Sequence, residues 1–301
     1  MYDLIVVGGG PAGLTAALYA LRASKTVLVI EKASFGGQIT FSPKVENIPG
    51  FPSVSGNEFA EKLVEQVLEQ GAEFAFCEAS EIKNGDIKTV VTDDGEFEAA
   101  AVVIATGAKH RLLGLDREEL FIGEGISFCA VCDGAFYKDK TVAVIGGGNS
   151  ALQEALLLSE LASKVYIIQN LDFLTGEAQL VRQVTGQRNI EIILGTTVKA
   201  LLGEETLEGI TLQKGSDGST SDLALDGMFV AIGLVPQNER FANVLSLDER
   251  GYADCGEDCT AAEGIFVAGD CRRKEIRQVT TAVADGAVAA LAACKFLDRV
   301  K

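Results

Sequence analysis

Only one histidine, His110, and no tryptophan occur among the 301 residues, and basic side chains are few, 26 lysines and arginines against 43 aspartates and glutamates. The lone histidine excludes a histidine-rich metal site and leaves a Ser-His-Asp triad with no choice of base. A net charge of −17 argues against non-specific nucleic-acid binding and against an anionic membrane surface, and reads mainly as solubility. No apolar stretch approaches the roughly 18–20 residues of a membrane span. The opening MYDLIVVGGG enters a strand without the basic region, apolar run and cleavage site of a secretory signal. The cytoplasm is therefore the expected location. There the seven cysteines should be mostly reduced, so a pair that matters is catalytic or metal-binding rather than structural.

What is abundant is glycine, 33 residues, within a chain that is 48% apolar, a composition that suits a compact α/β protein. Two segments repeat each other. LIVVGGGPAG at 4–13 and VAVIGGGNSA at 142–151 are both apolar strands that run into a triple glycine and then a helix. Gly8, Gly10 and Gly13 complete a G-x-G-x-x-G, with Pro11 and Ala12 opening the helix; Gly146, Gly148 and Ala151 make the G-x-G-x-x-A variant, followed by Asn149 and Ser150. A second apolar strand ends on Glu31 in the first copy and on Gln169 in the second, each 21 residues after the middle glycine. A strand, a glycine turn, a helix and an acid at that distance are the signature of a dinucleotide site, with the pyrophosphate facing a helix N-terminus and Glu31 accepting from an adenosine ribose.

Further strands are expected at 87–92, 101–105, 210–213 and 228–232, a buried strand within 263–271, and an alanine-rich helix from about Gln278. The fold class that follows is α/β: two Rossmann-like three-layer domains, the second inserted into the first. Residues 1–113 and 241–301 would form the first, and residues 114–240 the second.

Between the glycine loops lies FCAVCDGAFY, in which Cys129 and Cys132 form a C-x-x-C. That spacing lets two thiols close a small ring reversibly or share a metal. Zinc needs two more ligands and no second C-x-x-C exists, so a redox disulfide is the favoured reading and no metal is expected. Asp133 follows at once. It is placed either to supply a proton to a leaving thiolate or to cap the next turn.

These residues together resemble the low-molecular-weight bacterial thioredoxin reductases, FAD-dependent homodimeric dithiol–disulfide oxidoreductases. GGGPAG, GGQIT…VENIPG, ATGA, CAVCDG, GGGNSA, FVAIG, AGD and RQVTTAVADG occur in the family's order over essentially the whole chain. The resemblance implies FAD held by the Gly8–Gly13 loop, by Glu31 with Lys32 at the ribose, by Gly37, Gln38, Ile39 and Asn47 at the ribityl chain and flavin, and by Gly107. It further implies Gly269 and Asp270 at the ribityl and phosphate side, and Gln278 with Val279 at the pyrimidine edge. Cys129 and Cys132 then match the redox pair, Asp133 its acid, and thioredoxin or a similar protein the acceptor. Phe136 and Tyr137 would lie on the docking face for that partner, or simply pack.

The chain departs from the family where NADPH is gripped. A basic pair and a further arginine are replaced by Asn170, Leu171 and Thr175, none of which forms the bidentate contacts a 2′-phosphate needs. The weak second nucleotide site is therefore Gly146, Gly148, Asn149, Ser150, Glu154 and Gln169, with NADH open as a donor and NADPH disfavoured. Ferredoxin or a deazaflavin are alternative donors, with Arg272, Arg273, Lys274 and Arg277 as a basic patch for ferredoxin, and a small-molecule dithiol oxidase using oxygen is a further alternative. Cys255, Cys259 and Cys271 read as packing thiols.

Overall fold

The computed structural model describes residues 1–42 and 45–300. The chain divides into two units, residues 1–109 with 235–301 and residues 110–234. The first begins with β1 (Tyr2–Val7), α1 (Pro11–Arg22) and β2 (Val27–Glu31), followed by α2 (Gly56–Glu69) and β3 (Glu73–Phe76). A meander of β4 (Ala79–Lys83), β5 (Lys88–Thr92) and β6 (Gly95–Ile104) leads to β7 (Ala108–His110). β1 and β2 are near-continuous Val, Ile and Leu runs because both faces of the parallel sheet are covered, one by α1, α2 and the helix of residues 279–300 and the other by side chains of β4, β5 and residues 241–253, which leaves no solvent face to call for alternation. Ser55 caps α2 by accepting from the Glu58 N–H at 3.1 Å, the first half of a capping box.

The second unit contains β8 (Ile126–Ser127), the single turn α3 (Ala130–Asp133), β9 (Thr141–Ile145), α4 (Asn149–Ser159), β10 (Lys164–Ile168), α5 (Ala178–Gly186) and β11 (Ile190–Ile193). An antiparallel trio, β12 (Thr196–Leu202), β13 (Gly209–Lys214) and β14 (Thr220–Ala224), precedes β15 (Gly227–Val230). The chain returns through β16 (Leu234–Pro236) to β17 (Thr260–Ala262), β18 (Ile265–Val267) and α6 (Val279–Val300).

Both units use one plan. The parallel core of the first sheet runs β3-β2-β1-β6-β18, and that of the second β11-β10-β9-β15-β8. The correspondence reaches individual bonds. Gly8 N–H donates to the Ile30 carbonyl at 2.8 Å and Gly146 N–H to the Ile168 carbonyl at 2.9 Å. Each glycine has positive φ, +113° and +129°, and a side chain there would strike the carbonyl of Ala105 or Ala231. Only glycine serves both demands.

The crossings fall at 109/110 and 234/235, earlier than the expected 113/114 and 240/241. The reason is β7 and β16, which pair as a two-stranded ribbon and carry the chain across. The strand expected within 263–271 is only Ile265–Val267, because Gly269–Cys271 coils into a 3-10 turn. One correction concerns hydropathy: among the described residues, α6 is long and apolar enough to cross a membrane by length and composition. Its apolarity has another use. Ala289, Ala290, Ala293 and Leu297 are fully buried in the first core with the alanines of α1, and small side chains let the two helices approach closely.

Candidate active site

The first glycine loop is shaped by what surrounds it. A side chain at Gly13 would lie 1.9 Å from the Gly8 carbonyl, and one at Gly9 would enter the Phe35 ring. Glu31 at the end of β2 accepts from Gly9 N–H at 2.8 Å and from Ala33 N–H at 3.0 Å. Gly36 N–H closes the loop onto the Gly9 carbonyl at 2.8 Å, which sets Gly36 and Gly37, both at positive φ, opposite Gly10. Pro11 takes the first turn of α1, where no N–H partner is needed.

Other sequence-distant candidates assemble around this loop. Gly269, at φ +83°, abuts Ala12, and its N–H donates to Asp285 Oδ2 at 3.1 Å. The Oδ1 of Asp270 is buried and has no hydrogen-bond partner among the described residues, although Lys274 Nζ stands 3.4 Å away. Asn47 Nδ2 donates to Gln278 Oε1 at 3.2 Å, and Ile39 and Val279 share a small core with Ile48 and Phe59. Gln38 is exposed on the same 3-10 turn as Gly37 and Ile39, and Gly107 keeps open space at positive φ. Lys32 is directed elsewhere: it pairs with Glu78 at 3.0 Å, which also holds Arg240.

In the second unit Cys129 and Cys132 are joined as a disulfide across α3. Asp133 does not cap the following turn. Its Oδ2 accepts from the Ser127 hydroxyl at 2.6 Å, while its Oδ1 is buried with no hydrogen-bond partner among the described residues. Burial pushes this carboxyl above the usual carboxylate range, and the Ser127 hydrogen bond partly offsets the rise. Sequence reasoning missed Ser127; a serine two places before a cysteine carries no motif. Tyr137 packs edge-on against Phe229 with its ring over Gly227, so it is a core side chain.

The second glycine loop keeps its backbone but not its mouth. Thr175 and Gly176 N–H groups both donate to the Gly147 carbonyl, as Gly36 does in the first unit. Gln169 is 5% exposed, lies against Gly147 and donates from Nε2 to the Phe173 carbonyl at 3.3 Å. A free amide awaiting a ribose is therefore not what this residue presents. Asn149 and Glu177 bind each other twice, at 2.7 and 2.9 Å. Ser150 is exposed on the first turn of α4. Glu154 on α4 has a buried Oε2 with no hydrogen-bond partner among the described residues, and burial pushes the carboxyl up to about 8.

The basic stretch 272–277 is engaged internally. Arg272 and Lys274 both bind Asp285 at 2.9 Å, Arg273 pairs with Asp254, and Arg277 lies over the Tyr252 ring. Cys259 and Cys271 are buried thiols pushed up to about 12 and 11, values that suit packing rather than exchange. No cluster of three or more metal-ligating side chains occurs among the described residues.

Two dinucleotide-type units, one of them carrying a disulfide beside a buried carboxyl, define a nucleotide-linked disulfide oxidoreductase. The chain belongs to the pyridine nucleotide-disulphide oxidoreductase family, whose profile matches residues 2–286. It is 40% identical to a thioredoxin reductase of Listeria monocytogenes over all of this chain and 95% of that protein. It is 39% identical to a 34.2 kDa protein in a rubredoxin operon of Clostridium pasteurianum, over 98% of this chain and 97% of that one. The thioredoxin reductase structure from Streptococcus pyogenes superposes with a TM-score of 0.95 at 37% identity, covering 99% of both chains. The chain is thus an enzyme, a flavoprotein disulfide oxidoreductase of the thioredoxin reductase type.

Proposed function

We propose that the chain carries an electron pair from a donor, by way of FAD, to the Cys129–Cys132 disulfide and on to thioredoxin or a similar protein disulfide, and that NADPH is not the donor. The observation that carries the reading is the disulfide on α3 with the Asp133 carboxyl buried beside it. FAD fits the first unit: the glycines leave a backbone cradle at the start of α1, and Asp270 next to it keeps a buried oxygen with no hydrogen-bond partner among the described residues. When bound, FAD supplies the electron pair that opens the disulfide. Gly8–Gly13 would hold the pyrophosphate, Glu31 the ribose, and Asn47, Gln278 and Val279 the flavin side. Asp133 would hand a proton to the sulfur that leaves as a thiolate. The protein acts in the cytoplasm as a homodimer.

The donor reading rests on the second unit. Asn170, Leu171 and Thr175 stand where arginines would bind a 2′-phosphate, and Gln169 is turned inward. Lost charged hydrogen bonds cost about 1.5–3 kcal/mol each, roughly ten- to hundredfold in affinity. NADH fits a clampless site, with Glu154 as a polar anchor. A protein donor is the second reading, favoured by the relative named for its rubredoxin operon. Arg272 and Lys274 are held in buried pairs with Asp285, which leaves the exposed Arg273 as the side chain of that stretch most open to such a donor.

The test follows flavin absorbance near 450 nm in FAD-loaded protein offered NADH, NADPH, reduced ferredoxin or dithiothreitol, with thioredoxin reduction as the final readout. Bleaching by dithiothreitol and by NADH or ferredoxin, with no micromolar saturation by NADPH, is expected. A chain that stays colourless after FAD loading overturns the whole reading. Micromolar saturation by NADPH overturns the donor half.

A further inference from the structure

Ser127 ends β8 with its side chain buried between two parts of the redox turn. Its Oγ accepts from the Cys129 N–H at 3.1 Å and donates to Asp133 Oδ2 at 2.6 Å. A hydroxyl has one proton, so a serine that accepts from Cys129 has its own proton free for the carboxylate. The two carboxyl oxygens of Asp133 are therefore unequal: Oδ2 is held, and Oδ1 is buried with no partner among the described residues. We propose that Ser127 is a positioning residue for the dithiol chemistry, tying Asp133 Oδ2 to the backbone of Cys129 and leaving Oδ1 as the oxygen that gives and takes the proton. The inference rests on the reading of Asp133 as the acid.

The exchange balances. One thiolate of the reduced pair attacks the acceptor disulfide, a mixed disulfide forms as the acceptor's S–S bond breaks, and the leaving sulfur takes the proton from Oδ1. The second thiol returns a proton to Oδ1, attacks the mixed disulfide and closes the Cys129–Cys132 bond as the other acceptor sulfur departs as a thiolate. A thiol–thiolate pair and a disulfide become a disulfide and a thiol–thiolate pair, and Asp133 ends protonated as it began.

Tyr137, which also faces Asp133, is pushed up to about 12 by burial and by Asp133, Glu124 and Asp226, so it is silent near neutrality. His110, stacked on Phe128 at 4.5 Å, is pushed down to about 4 by burial. Glu154 lies on α4, which packs against α3, and burial pushes it up to about 8, so Glu154→Gln identifies its share of any pH effect.

FAD-loaded protein is reduced with dithiothreitol, freed of it, and reoxidised with 5,5′-dithiobis(2-nitrobenzoate) from pH 5 to 9. In parallel, the Cys129–Cys132 equilibrium is measured by alkylation in dithiothreitol redox buffers. Ser127→Ala removes a hydrogen bond to the charged carboxylate, so the pH limb that Asp133→Asn abolishes should move up by about one unit. Ser127→Thr, which keeps the hydroxyl, should restore it, and flavin absorbance with a thermal melt shows that each variant folds. A limb that survives Asp133→Asn overturns the acid assignment and the inference with it. A limb lost in Asp133→Asn but unmoved in Ser127→Ala, or moved equally in Ser127→Thr, overturns the role of Ser127 alone.

Discussion

At the scale of single residues, the one histidine supplies a test with a defined sign. His110 lies against Phe128, and burial holds its imidazole near pKa 4 rather than 6.5. The unfolded chain binds the proton first, so stability is fully present above about pH 6.5 and falls as the pH drops toward 4. His110→Phe keeps the stack and removes the titration. Urea midpoints of the two proteins should diverge across that window, the parent losing up to about 2–3 kcal/mol more by pH 4; parallel curves would refute it. At this scale the sequence was legible where chemistry repeats at fixed spacing: Cys129 with Cys132, the glycines, Glu31. Ser127, Phe35 and Asp285 were not, because each acts on a residue that only the fold brings near, across 6, 26 and 16 positions to Asp133, Gly9 and Gly269.

At the scale of elements, Asp285 on α6 joins the helix to the 269–274 segment. It takes the Gly269 N–H, Arg272 and Lys274 at once, and the side chains of Asp285, Arg272 and Lys274 are each at least four-fifths buried. Asp285→Ala strands two cations in that setting, which should cost about 3 kcal/mol. On the proposed FAD site the same change should speed flavin release. Thermal melts and ultrafiltration of the yellow protein measure both, and an unchanged melting point would count against the account. The strand–glycine–helix units were legible because both faces of those strands are buried and read as apolar runs. β3, β4 and β14 were not: EFAF is half exposed, ASEIK and TSDLA are mostly exposed, and these short runs do not mark a strand by themselves.

At the scale of the molecule, the two units divide the proposed work. The cradle for FAD lies in residues 1–109 with 235–301 and the disulfide in residues 110–234. Cys129→Ser with Cys132→Ser should therefore leave a yellow, folded protein whose thioredoxin reduction falls by at least about a thousandfold, the scale on which loss of a nucleophile acts. Retained turnover would show that electrons bypass the pair. Domain insertion was legible from the duplicated glycine loop, whereas the ribbon of β7 and β16 that carries the chain across was not, since three-residue strands leave no pattern. The inward turn of Gln169 also bears on redesign of the coenzyme preference. Asn170→Arg with Leu171→Arg would plant a phosphate clamp beside a bay whose floor is already filled, and should improve the NADPH KM by less than about tenfold. Adding Gln169→Ser clears that floor and frees the Phe173 carbonyl, so the larger gain should come only with the third change.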